Sequence, residues 1–128
     1  MSAPPLSPRG RVLSDVDDER GRQDEKWGEQ NHPDGTGPGV LPLDPISAHH
    51  GRHTYLEDAP AVDLADAARR ACKAAGHAGH DTWRAILLEE VFEALAEDDP
   101  ARLRTELVQV AAVATQWAEA IDRRTATT

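Results

Sequence analysis

The chain has very little of what would staple, stack or span. Its single cysteine, Cys72, leaves no disulfide to be made within 128 residues. Aromatic residues are only 4% of the total, which argues against a sheet sandwich built from Val, Ile, Tyr and Phe. Alanine recurs instead and favours closely packed helices. No apolar run approaches the roughly 20 residues that a membrane span needs. No positively charged, apolar leader precedes a cleavage site, so the expected compartment is the cytoplasm. Basic residues are also scarce, 14 against 23 acidic ones, for a formal net charge of −9. That balance speaks against a nucleic-acid polymer as partner and for a small cation. A chain of this length holds one small core, and a second copy would supply missing burial.

What is present reads as helices. The first dozen residues mix Ser, Pro and Arg with few apolar groups, and residues 1–14 are expected to form a flexible tail. Asp15 or Asp17 offers a helix start, with Val16, Arg20, Gln23 and Trp27 on one side. From Asn31 to Pro60, five prolines and four glycines forbid long regular structure, so 31–60 is expected to be a long loop, a lid or a linker. Val62, Leu64, Ala65, Ala68, Ala71 and Cys72 then give a helical stripe ending near Gly76. Asp81 is expected to cap the next helix, which runs to about Glu97. Asp99 followed by Pro100 is a restart signal for a last helix reaching about Arg124, before a tail over 125–128. The predicted fold is all-α, an antiparallel helical hairpin completed as a four-helix bundle with a second subunit.

Two of these helices carry acidic residues of interest. At 100° per residue, Leu87, Leu88, Val91, Phe92, Ala94 and Leu95 share one arc, with Glu89, Glu90 and Glu93 opposite. That pattern alone describes most amphipathic helices. Glu106 adds to it, because Leu107, Val108, Val110, Ala111, Ala112, Val113 and Ala114 make the last helix apolar nearly all round, as in a helix enclosed by neighbours. A carboxylate there needs a cation or strong donors. A tight turn at Asp98–Asp99 sets Glu93 level with Glu106 and Glu90 level with Gln109, one turn further from the hairpin. Three carboxylates and an amide oxygen would then converge, an all-oxygen set suited to Mg2+ or Mn2+ rather than zinc. The six histidines come without cysteine pairs or an H-E-x-x-H helix, which discounts zinc further.

Glu89-Glu90-Val91-Phe92-Glu93 followed by Glu106-Leu107-Val108-Gln109 resembles the E-E-x-x-E…E-x-x-D signature of the MazG-like, all-α nucleotide pyrophosphohydrolase superfamily. Glu19-Arg20, Arg22-Gln23, Lys26-Trp27-Gly28-Glu29-Gln30, His32-Pro33-Asp34-Gly35-Thr36 and the run from Leu107 to Ala114 are similar to its phage and actinobacterial branch. The likeness spans most of 15–124, with the loop over 37–60 outside it, and Gln109 stands where the signature has aspartate.

The resemblance implies Mg2+-dependent hydrolysis of a nucleoside triphosphate to the monophosphate and pyrophosphate. Glu90, Glu93 and Glu106, with Gln109, would hold the metal, and Glu89 would position or deprotonate water or else face solvent. Substrate contacts are expected from Arg22, Lys26, Trp27, His32 and Lys73, although a lone Trp such as Trp27 reads more readily as a core anchor that docks the first helix than as a stacking platform. Trp83 and Trp117 read as core. The resemblance also implies a homo-oligomer, a dimer or tetramer. Two other classes stay open: a nucleotide sensor without turnover, and a structural helical bundle.

Overall fold

The computed structural model describes residues 4–40, 58–79 and 81–126. Among them there are four helices and no strand: α1 Pro8–Trp27, α2 Ala61–Ala78, α3 Trp83–Leu95 and α4 Pro100–Ala126. The expected all-α architecture is the one found among the described residues, and no helix among them is long and apolar enough to cross a membrane.

α1 starts a full two turns before Asp15. The Ser7 hydroxyl accepts from Gly10 N at 2.9 Å and Pro8 opens the first turn, so residues 8–14, expected in a tail, are helical. The cap-plus-proline signal used for Asp99-Pro100 was present here too. α1 is mostly polar and is held to α4 by a few contacts. Val16 packs on Val108, Ala111 and Ala112. Arg20, only 7% exposed, donates to Glu119 at 2.6 Å, to Gln23 Oε1 at 3.1 Å and to Asp24 at 2.9 Å. Asp15 pairs with Arg104 and Arg20 with Glu119, so contacts advance in the same direction along both helices and α1 runs parallel to α4.

A second small core joins α2 to α3: Leu64, Ala65, Ala67 and Ala68 pack on Phe92, with Ala59 and Leu88 beside them. The small alanine face lets the backbones approach closely. α2 ends at Gly79, with φ 74°, three residues later than Gly76. Thr82 rather than Asp81 caps α3, accepting from Ala85 N at 3.1 Å, and α3 stops at Leu95, short of Glu97. Asp99 caps α4 as expected, accepting from Arg102 N at 3.0 Å. α4 packs against α3 and α1, which does not enclose it all round: Leu107 is 53% exposed. Leu95, placed on the apolar arc of α3, is exposed on that helix's final turn.

Between α1 and α2 the described residues 28–40 have neither helix nor strand, as expected there, while 41–57 of the predicted loop lie outside the described residues. The first part of this segment is a strap. Pro33 O and Asp34 O accept from Trp83 N and Arg84 N at 3.0 and 3.2 Å. The Asp34 carboxylate accepts from Trp117 Nε1 at 2.8 Å and from both terminal nitrogens of Arg124. His32 sits edge-on to Trp83, which stacks at 6.4 Å on Trp117. Gly35, with φ 73°, lies so close to Thr82 that a Cβ would come within 2.9 Å of its Cβ, so glycine is required there.

Candidate metal centre and nucleotide cleft

The α3–α4 hairpin brings the acidic residues together. One carboxylate oxygen from each of Glu90, Glu93 and Glu106 lies within 4.8 Å of the other two, and all three side chains are half-buried. Rotamer shifts that draw the three oxygens closer together would let Glu90, Glu93 and Glu106 hold one small divalent cation. The electrostatics ask for such a charge. Burial, then repulsion from Glu93, Glu89 and Glu106, pushes the Glu90 carboxyl up to about 7. Glu106 is also raised, by burial and then by Glu93 and Glu97. One cation of the chain already answers part of this: Arg69 on α2 donates to Glu93 Oε1 at 3.3 Å and to Asp66 at 3.1 Å. The donor set, hard oxygens crowded into a half-buried site, fits Mg2+ or Mn2+.

Two clefts adjoin this cluster. The larger, of about 610 Å³, lies between α1, the strap, α3 and α4. Its lining includes Glu90 and Gln109 beside the cluster, then Ile86 and Val113, then Gln23 and Gln116, with Glu19, Arg22, Lys26, Trp27, Gln30, His32 and Asp81 completing it. Arg22, Lys26, Trp27 and His32, expected to touch substrate, all line it. Trp27 is 59% exposed with Lys26 Nζ 4.8 Å from its ring centroid, so it is a rim residue and not a core anchor. Arg22 is held by an ion pair to buried Glu19 at 2.8 Å. A smaller cleft of about 320 Å³ is lined by Glu93, Glu106, Arg69, Asp66 and Glu97 among others.

Two expected site residues stand apart. Lys73 is exposed on α2 and lines neither cleft. Glu89 also lines neither; it lies by Cys72, its carboxyl raised mainly by burial, and the Cys72 thiol, raised by burial and then by Glu89, donates to Ala85 O at 3.2 Å. Trp83 is buried as expected and Trp117 is half-buried. His49, His50, His53 and His80 lie outside the described residues. Among the residues that sequence reasoning did not place at the site, Gln116 carried a usable signal. Like Glu106 it is a polar residue inside an apolar stretch, and Gln109, Val113 and Gln116 follow one helical stripe.

No protein-family model matches the chain, nor does any curated protein or solved structure.

Proposed function

We propose that the chain is a nucleoside triphosphate pyrophosphohydrolase working with Mg2+ or Mn2+ and releasing a monophosphate and pyrophosphate. The observation that carries this reading is the meeting of Glu90, Glu93 and Glu106 beside a nucleotide-sized cleft with Arg22, Lys26 and Trp27 on its walls. The acidic pattern's resemblance to MazG-like enzymes supports it. Glu90, Glu93 and Glu106 would hold the ion, with the Gln109 amide as a neutral oxygen donor. When bound, the ion supplies charge for the phosphates and lowers the pKa of an attacking water. Arg22 and Lys26 would donate to phosphate oxygens, Arg22 oriented by Glu19. Glu89 acts on this centre through its charge, since it helps to raise Glu90 without lining the cleft.

Gln109 in place of the family aspartate, and Arg69 on Glu93, favour a second reading in which nucleotide binds without turnover. A pyrophosphate-release screen over a nucleotide panel, with Mg2+ and with Mn2+, separates the two. An enzyme releases pyrophosphate from at least one nucleotide, and Glu93→Gln or Glu106→Gln lowers that by a factor of at least about 100, the scale of losing one electrostatic contact to the transition state. Binding without release supports the sensor. A purely structural bundle is supported if nothing binds and Glu106→Leu raises the melting temperature. The proposal includes a homodimer or tetramer, for which exposed Leu6, Leu13 and Leu107 offer apolar surface; sedimentation equilibrium reads it directly.

A further inference from the structure

The end of the larger cleft away from the Glu90, Glu93 and Glu106 cluster carries a polar side chain that no protein group holds. Gln116 is only 6% exposed and lines the cleft, and no hydrogen bond engages its amide among the described residues. An amide that meets only the water of a cleft has its oxygen and its NH2 free for a ligand's polar edge. Gln23, 9% exposed, lies in the same lining. Its oxygen accepts from Arg20 Nη1 at 3.1 Å. A guanidinium only donates, so that oxygen must face Arg20 and the amide NH2 is what Gln23 has left to offer.

Position along the cleft says which part of a nucleotide arrives here. Gln116 follows Gln109 by seven residues on one face of α4, about 10 Å along the helix axis. A phosphate group near Glu90 and Gln109 would thus put the base, one nucleoside further on, beside Gln116. Trp27 is four residues from Gln23 on the same side of α1, its ring exposed for stacking.

We propose that Gln116, together with Gln23, reads the base of the bound nucleotide and favours a pyrimidine; this rests on the nucleotide reading of the cleft. The pair presents one acceptor and two NH2 donors. The hydrogen-bonding edges of uracil, thymine and cytosine each carry two acceptors and one donor, the complementary set. Guanine carries one acceptor and two donors there, and adenine one of each. Gln116 is a specificity-determining residue, placed at the base and away from the phosphates.

The test is calorimetric titration of the full chain, in millimolar MgCl2, with dUMP, dCMP, dGMP and dAMP. Monophosphates have no pyrophosphate to release, so binding is read without turnover. The two pyrimidine nucleotides are expected to bind about tenfold more tightly than the purine ones, the value of one well-made hydrogen bond. Gln116→Leu should shrink that ratio to about twofold or less. Gln116→Asn, which keeps the amide and loses its reach, should do the same and serves if the leucine variant does not fold. Purine nucleotides binding as tightly as pyrimidine ones, an unchanged ratio in both variants, or no binding at millimolar concentration each overturn the inference. Pyrophosphate release with an unchanged ratio would leave the hydrolase standing and remove the base reader; a collapsed ratio with no release from any triphosphate would do the reverse.

Discussion

Raising the pH of the metal-free protein from about 5 to about 8 is expected to destabilise it, and a divalent cation is expected to remove that loss. Glu90 is the main reason, since burial and then the charges of Glu93, Glu89 and Glu106 lift its carboxyl from 4.5 to about 7. With the folded value above the unfolded one, the folded chain keeps a proton that the unfolded chain releases. The stabilisation is therefore fully present below about 4.5 and is lost as the pH climbs through about 7. The full loss from one such carboxyl is on the order of 3 kcal/mol, or roughly 10 °C in Tm for a domain of this size. Glu89 and Glu106 are shifted in the same direction and add to it. Scanning calorimetry in EDTA should trace a falling Tm across this window, and millimolar MgCl2 should restore most of it at the alkaline end. Glu90→Gln, which has no proton to lose, should flatten the EDTA curve. A Tm in EDTA that stays level across the window, or one that falls equally steeply in Glu90→Gln, would refute the reasoning.

Two further outcomes follow from the charges around the site. Arg69→Met removes the cation that competes for Glu93, so Mn2+ measured by titration should bind several-fold more tightly while the metal-free protein melts earlier; weaker Mn2+ binding would mean that Arg69 instead holds Glu93 in place. Asp34→Ala leaves the half-buried Trp117 indole N–H without its 2.8 Å partner, for a loss of about 2 kcal/mol by urea denaturation at neutral pH. Because Arg124, and then Trp117, holds the Asp34 carboxyl below its ordinary 3.8, that difference should persist above pH 3.8 and shrink as the pH falls through the lower folded-state value.

Local signals in the sequence located most of the helices because each end carries its own chemistry. Asp99-Pro100 predicted the start of α4, and Ser7-Pro8 would have predicted α1 had composition not assigned it to a tail. The pairing of Glu93 with Glu106 was also legible, since a short hairpin fixes its register by counting from the turn. The apolar run around Glu106 does not enclose it on every side as its composition implied, since α4 packs on two helices only and Leu107 beside it is 53% exposed. Which alanines α2 would press against Phe92, how Asp34 reaches Trp117 and Arg124 some ninety residues on, and the parallel seating of α1 on α4 are long-range facts. No window of sequence holds both partners of such contacts. Trp27 shows the limit for single residues: a lone Trp at helical spacing favours a core anchor, and only the tertiary fold puts it on the rim, 59% exposed.

The strap has one consequence for how a phosphate chain could be held. A helix usually opens with free amides that attract anions, but at the start of α3 the first three, those of Trp83, Arg84 and Ala85, are already spoken for by Pro33, Asp34 and Thr82. This door is bolted from inside, so on the proposed reading negative charge entering the cleft would be met by side chains and by the ion the carboxylates gather, and nucleotide binding is then expected to weaken with added salt and with chelators alike.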